Sequence, residues 1–242
     1  MNYIRQTLLG LTFVIGASAA NAIVIVGPGP APDPGIPASY GTATHDTTNW
    51  QDLSDGADPY GVSWSVDSGT TWGRSELFVG QTVSFRFNMH KNNVGTHYAD
   101  HMKAWVDWGQ DGVFDVADEV AYGEHLLADN ETLGTWNTPT VPNITYFSDD
   151  VHLTSDHAGE TWLRAQVTCS HSIVRENGDN WGAQWDSAYT DNYQALFNPT
   201  GHLYQGETEE WKLTITEVAE PSSLALLGLG LAGLGFTRRK RK

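Results

Sequence analysis

The 242-residue sequence is poor in cysteine and in basic residues. Cys169 is the only cysteine, so no disulfide can form within the chain. Its place in an alternating strand pattern indicates a buried thiol rather than a nucleophile. Lys and Arg number 13 against 29 Asp and Glu, which gives a formal net charge of −16. Such an acidic chain is unsuited to nucleic acid, because phosphate backbones are bound by clustered Lys and Arg.

Long helical patterns and catalytic motifs are also scarce between residues 39 and 217. No stretch there keeps an apolar period of 3.6 residues, although 182–198 has room for a short helix. The sequence holds no G-x-S-x-G elbow, no P-loop and no G-x-G-x-x-G after a strand. We therefore predict that the protein is not an enzyme. A hydrolase acting on polysaccharide stays a less favoured alternative, because it needs only two suitably spaced carboxylates.

Alternating apolar and polar residues predict an all-β domain. The alternation is clear in 81–89, 162–169 and 211–215, and in the second run Arg164 and Gln166 are predicted on the outer face. Turn residues separate such runs at short intervals. One-sided alternation of this kind is typical of an antiparallel β-sandwich.

The N-terminal end carries an export feature. Residues 1–22 combine Arg5, an apolar run and the small residues of an A-x-A cleavage site, which predicts a signal peptide. Residues 23–38 are rich in Pro and Gly and predict an extended linker. The folded domain is then expected to occupy 39–217.

The C-terminal segment, 218–242, predicts a membrane anchor. The polar motif Glu220-Pro221-Ser222 is followed by the apolar stretch 224–236 and five consecutive cations. The apolar stretch is shorter than the roughly 20 residues of a spanning helix, which suits a temporary anchor. This order of features resembles the PEP-CTERM sorting signal, here with Ala-Glu-Pro in place of the common Val-Pro-Glu-Pro. The resemblance implies recognition by an exosortase-like sorting protease, transient anchoring in the inner membrane, and then release to the cell surface or the extracellular space.

The part of the chain between the two terminal segments is more acidic than the whole. Residues 23–216 keep seven of the 13 Lys and Arg, because six lie in the terminal segments, and 27 of the 29 Asp and Glu. The net charge of this part is therefore near −20. A surface of this kind favours divalent cations or simply solubility.

The sharpest candidate for a binding site is the run DWGQDGVFDVADE, residues 107–119. Its acidic side chains are Asp107, Asp111, Asp115, Asp118 and Glu119. Closely spaced carboxylates on a turning loop suit Ca²⁺, which takes 6–8 oxygen ligands. Compared with an EF-hand loop, Gly109 offers no ligand side chain and Asp118 is shorter than the usual Glu. Two interpretations stay open: a calcium site, or a turn whose Asp side chains hydrogen bond the loop backbone.

A second resemblance involves the same run. KAWVDWGQDGVFD, residues 103–115, and YQGETEEWKLTIT, residues 204–216, resemble the GEVED domain of secreted bacterial proteins. The hallmarks of that domain are a WVDWNQDG strand and turn and a terminal GEVEDY strand. The resemblance spans roughly 61–216 and implies a β-sandwich that serves as an accessory module, without a known catalytic activity. Glu207, Glu209 and Glu210 at the terminal strand are candidates to add oxygens to the Asp loop, or to form a separate acidic rim.

The ten tryptophans make carbohydrate binding a candidate function. Trp181 and Trp185 lie in NWGAQWD, among polar residues, and aromatic faces with polar neighbours suit a sugar ring. The alternative is that the Trp side chains cap the ends of a core, where Trp is usually largely buried. The sequence thus leaves two functions open: a non-catalytic surface or extracellular-matrix module, and a module that binds carbohydrate such as exopolysaccharide.

Overall fold

The computed structural model describes residues 35–47, 51–54, 60–91, 98–126 and 144–218. The predicted signal peptide, most of the linker and the predicted C-terminal anchor, including Glu220, Pro221 and Ser222, lie outside these residues. No helix in the described ranges has the length and the apolar character needed to cross a membrane.

The described residues form twelve strands and three short α-helices. The strands are β1 (Ala43–Thr47), β2 (Gln51–Leu53), β3 (Val62–Ser65), β4 (Leu77–Phe78), β5 (Thr82–Lys91), β6 (Ala99–Val106), β7 (Glu119–Leu126), β8 (Ile144–Phe147), β9 (Val151–His152), β10 (Gly159–Cys169), β11 (Gly201–Gln205) and β12 (Glu207–Thr216). The helices are α1 (Ser170–Glu176), α2 (Ser187–Thr190) and α3 (Tyr193–Leu196).

Two sheets pack face to face, as the predicted sandwich requires. Both sheets have five strands, and we call the one with more long strands the larger sheet. It has the order β4-β12-β10-β6-β7, and all its pairs are antiparallel except β4 with β12. In the smaller sheet, β5 pairs antiparallel with β2, β3, β8 and β9. A separate parallel pair joins β1 to β11. The all-β prediction is confirmed.

The main core lies between the two sheets. Phe85 and Phe87 of β5 face Leu163 and Val167 of β10, and all four side chains are buried. The two-residue alternation in the sequence therefore assigned the inner faces of these strands correctly, because successive side chains of a strand point to opposite faces. Cys169, at the end of β10, is buried as predicted.

A helical layer covers the other face of the larger sheet. It runs from α1 to α3 and packs Ile173, Tyr193 and Phe197 against Trp105 and Trp162. The short helix expected within 182–198 is confirmed, since α2, α3 and a 3₁₀ turn lie there. The inter-sheet core covers one face of β6 and β10, and the helical layer covers the other. The domain therefore has three layers rather than the two of a simple sandwich.

The structure corrects the placement of Arg164 and Gln166. Both side chains point away from the inter-sheet core, as their position in the alternation indicates, but they are buried rather than exposed. Pro199, after α3, accepts hydrogen bonds from both side chains, and Arg164 also donates to the backbone of Tyr40 and Gly41. The alternation specifies only which face a side chain takes. What covers that face depends on segments distant in the sequence.

Candidate functional site

The Asp loop follows β6 and is held together by the carboxylate of Asp107. This side chain is 1% exposed. Its Oδ1 accepts the backbone N–H of Asp111 at 3.2 Å, and its Oδ2 accepts the N–H of Gly112 at 2.9 Å and the Tyr40 hydroxyl at 2.7 Å. One carboxylate thus fixes the turn and attaches it to the N-terminal part of the domain.

The remaining Asp side chains of the loop also bond its backbone. Asp111 accepts from the N–H of Val113, and Asp115 and Asp118 form a capping box around the 3₁₀ turn Val116–Asp118. Burial raises the pKa of the Asp118 carboxyl to about 6, and the negative charges of the other three Asp side chains add to this rise. The other three carboxylates are therefore close enough to Asp118 for their charges to disfavour its ionised form.

Glu119 points away from the four Asp side chains. Its carboxylate lies 2.9 Å from Lys103 Nζ and accepts a hydrogen bond from Gln194 in α3. Among the described residues, no three or more His, Cys, Asp and Glu side chains are already gathered around one point as metal ligands would be. The contacts of the loop are those of the hydrogen-bonded turn, and its use as a calcium site stays a prediction.

The two predicted ligand-binding tryptophans lie together at the surface. Trp181 and Trp185 are 47% and 44% exposed, and their rings meet edge to face with centroids 4.5 Å apart. They are held on a 3₁₀ turn by Gln184, a buried side chain that donates to Trp181 O and accepts the N–H of Tyr98. Asn180 begins the turn by accepting the N–H of Gly182. The backbone of the turn is thus fixed, and both indoles are half exposed.

Three further rings extend this pair into a row. His171 of α1 lies 6.4 Å from Trp181 and 6.2 Å from Tyr204 of β11, and Tyr204 lies 5.8 Å from His202. We call these five side chains, Trp185, Trp181, His171, Tyr204 and His202, the aromatic strip. Sequence reasoning missed the last three, because they come from a helix and a strand that only the tertiary structure brings together.

A cation lies on the aromatic strip. The guanidinium of Arg175 stacks on the Tyr204 ring and donates to its hydroxyl. Arg175 follows His171 by four residues and shares its face of α1. Partial burial, and then the charge of Arg175, lower the pKa of His171 below its usual value. The strip is thus a row of rings, most of which meet edge to face, with a positive group at one side, on a strongly acidic protein.

Two known protein families match adjoining parts of the chain. Residues 101–214 match the GEVED domain, and residues 217–242 match the PEP-CTERM protein-sorting motif. The chain contains a GEVED domain and ends in a PEP-CTERM motif. A comparison with curated proteins found no match. The GEVED match begins later than the resemblance near residue 61, and it covers the main strands of the larger sheet and the helical layer rather than β3 and β5.

The motif strand of the GEVED domain binds other parts of the fold rather than the Asp loop. Glu210 forms an ion pair with Arg164, and Glu207 accepts the backbone N–H of Leu53 in β2 at 2.7 Å. Gly206 lets the chain pass close to the backbone of Val167. These contacts tie β12 to β2 of the other sheet and to its neighbour β10, so this glutamate-rich motif has a structural use in this chain.

Glu207→Gln is expected to change the pH dependence of stability. Burial raises the pKa of Glu207 from 4.5 to about 7, and the hydrogen bond from Leu53 partly opposes this rise. Since the folded-state pKa lies above the unfolded-state value, the carboxyl favours folding below pH 4.5 and this contribution is lost as the pH rises through 7. Gln keeps an acceptor for Leu53 and carries no charge.

Urea unfolding at pH 5 and pH 8 measures this effect. From pH 5 to pH 8, the free energy of unfolding of the Glu207→Gln variant should rise by about 1 kcal/mol relative to that of the wild type. This is less than the full linkage value, because solvent screens this half-buried group. Glu217→Gln, at an exposed position after β12, is the matched control and should show no such gain. If the variant and the wild type differ in free energy of unfolding by the same amount at both pH values, the prediction is wrong.

Proposed function

We propose that the chain is a non-catalytic module of the cell surface or extracellular matrix that binds polysaccharide through the aromatic strip. The PEP-CTERM motif marks the chain as an exported protein handled by an exosortase-type sorting system. Neither matched family is a catalytic one. Transient anchoring in the inner membrane before release belongs to the same proposal.

The observation that carries the binding proposal is the exposure of two adjoining tryptophans on a hydrogen-bonded turn. An indole left half exposed has an unfavourable contact with water that a ligand can remove. A sugar ring fits this surface because its apolar face stacks on an aromatic ring while its hydroxyls bond polar groups at the edge. Asn180 and Asp186, both exposed, flank the two rings and supply such groups. The fixed turn also lowers the entropy cost of binding.

Trp185→Ala is expected to weaken polysaccharide binding strongly. Truncation of a tryptophan that the ligand covers costs about 2 kcal/mol, which corresponds to about thirtyfold in affinity. Affinity electrophoresis of the full chain in gels that contain single soluble polysaccharides measures this change. Val116→Ala removes a 90% exposed side chain outside the strip and should leave retention unchanged.

Two results would contradict this function. If Trp185→Ala and Trp181→Ala are retained as strongly as the wild type by every polysaccharide that retains the wild type, the strip is not the binding surface. If the wild type releases new reducing ends from the same polysaccharides, the module is a hydrolase rather than a binding protein. Both readouts use the same protein and the same set of polymers.

Calcium binding by the Asp loop is proposed as a second property. What supports it is the repulsion of the Asp118 carboxylate by Asp107, Asp111 and Asp115, which a divalent cation would relieve. Millimolar Ca²⁺ is then expected to raise the melting temperature relative to chelator, because a ligand bound only by the folded state stabilises it. Asp115→Asn should reduce the rise, whereas Asp156→Asn, at an exposed site elsewhere, should not. An unchanged melting temperature would reject the site.

A further inference from the structure

A second group of aromatic side chains lies on the outer face of the smaller sheet. Phe147 of β8 is 57% exposed, and its ring centroid lies 5.4 Å from that of Trp72. The guanidinium carbon of Arg86 lies 5.1 Å from the Trp72 centroid. We call Trp72, Phe147 and Arg86 the outer patch.

The outer patch is built on rigid elements. Arg86 and Phe147 are directly opposite each other on β5 and β8, and Ser63 lies opposite Arg86 on β3. Arg86 Nε donates to Ser63 Oγ at 3.1 Å. Cross-strand partners share one face of a sheet, so these three side chains form a row that faces away from the core.

Trp72 is held by a tight turn beside that row. Asp67 accepts hydrogen bonds from Ser65 Oγ at 2.7 Å, from Thr71 Oγ1 at 2.6 Å and from the N–H of Thr71 at 2.9 Å. These bonds, chiefly those from Thr71, lower the pKa of Asp67 to about 2. Gly73 then pairs with Trp64 of β3 in both directions. The two chain neighbours of Trp72, Thr71 and Gly73, are therefore held by backbone hydrogen bonds, which position the residue beside the row.

The chemistry of the outer patch matches that of the aromatic strip. Each surface combines adjoining aromatic rings with an arginine stacked on one of them, although the chain has only 13 Lys and Arg. Beside the outer patch, Thr145 is exposed on the same face of β8 as Phe147 and supplies a polar group. The same class of ligand, a sugar ring that also meets a guanidinium, fits both surfaces.

The two surfaces face opposite directions. The aromatic strip is carried by the helical layer and β11, on one side of the larger sheet. The outer patch lies on the far side of the smaller sheet, with the inter-sheet core between. One stretch of polymer cannot cover both surfaces, because the thickness of the domain separates them.

We propose that the outer patch is a second polysaccharide-binding surface and that the module cross-links two polymer strands. This inference rests on the proposed function, since it assigns the first strand to the aromatic strip. Two weak sites on one rigid body give little avidity toward a single short chain but join separate long chains into a network. A cross-linking module stiffens the matrix into which it is released.

Light scattering by the full chain mixed with a long soluble polysaccharide tests this inference. The probes are a neutral β-glucan, which tests ring stacking alone, and a polyuronate, which tests stacking together with the attraction of carboxylates to the arginine. Wild-type protein should raise scattering as it is added, and the signal should fall again at excess protein, when each strand is saturated. Phe147→Ala should remove the scattering while retention in the affinity gel persists through the strip. Phe147→Tyr, which keeps the ring, and Val116→Ala should both scatter as the wild type does.

The outcomes separate this inference from the proposed function. Trp185→Ala should also abolish scattering but keep residual retention that is lost when Phe147→Ala is added. If Phe147→Ala scatters as the wild type does, or if Trp185→Ala alone abolishes all retention, the second surface is rejected and the first stands. If Trp185→Ala is retained fully, the proposed function fails instead. Scattering without polymer would mean that the outer patch binds a second copy of the chain, which also overturns the inference.

Discussion

Arg164→Met is expected to lower the free energy of unfolding by about 3–5 kcal/mol, because it leaves a largely buried carboxylate without its partner. The Arg164 side chain is 0% exposed, and its Nε donates to Glu210 Oε1 at 2.8 Å. The same guanidinium donates to the carbonyl oxygens of Tyr40 at 3.1 Å, Gly41 at 2.9 Å and Pro199 at 2.8 Å. It therefore joins the N-terminal turn, the segment after α3 and the motif strand β12.

Urea unfolding monitored by tryptophan fluorescence measures this loss. Lys212→Met is the matched control, because Lys212 pairs with Glu160 at 2.7 Å on the same two strands but at the surface. Its cost should stay below about 1 kcal/mol. The double variant Arg164→Met with Glu210→Leu should recover part of the loss, since it leaves no unpaired charge. Equal losses for Arg164→Met and Lys212→Met would show that the buried pair is not the decisive contact.

Gly206→Ala is expected to cost about 3 kcal/mol or more, or to prevent folding, because the position combines backbone strain with a steric clash. Gly206 has a φ of +118°, and a Cβ added there would lie 1.8 Å from the carbonyl oxygen of Val167. That oxygen belongs to the backbone of β10, which the two sheet pairs around it hold in place. The clash cannot be relieved by turning a side chain.

Gly80→Ala separates the strain from the clash. Gly80 has a φ of +92°, and an added Cβ would meet nothing within 4 Å. Its cost should be about 1–2 kcal/mol, the ordinary penalty of a left-handed conformation for an L-residue. Thermal and urea unfolding of both variants give the comparison. Similar losses at the two positions would contradict the role assigned to the contact with Val167.

The sequence alone predicted the inner faces of the strands. Val83, Phe85 and Phe87 alternate with polar residues, and this two-residue period is a local property of the chain. The same period placed Arg164 on the opposite face but could not show that the N-terminal turn and the segment after α3 bury it. α1 has only seven residues, too few for a helical period to stand out, and so the third layer was not predicted.

The candidate sites were predicted in part. Trp181 and Trp185 are near in sequence and fall on one turn, so a polar segment with two aromatic residues was enough to identify them. His171, Tyr204, Trp72 and the other members of the two aromatic surfaces come from separate elements, and no local pattern joins them. The acidic run 107–119 was identified as a loop, but which carboxylates bond its backbone depends on the path of the chain.

The sequence by itself determined the family and the destination, because the GEVED and PEP-CTERM motifs are runs of neighbouring residues whose identity does not depend on the fold. It also determined the strands, through their alternation. Only the tertiary structure decided that Glu119 turns to Lys103, that Arg164 is buried against Glu210, and that aromatic residues gather on two opposite surfaces. The physical reason is that burial and ring contacts arise between elements distant in sequence, whose packing is set by the whole core.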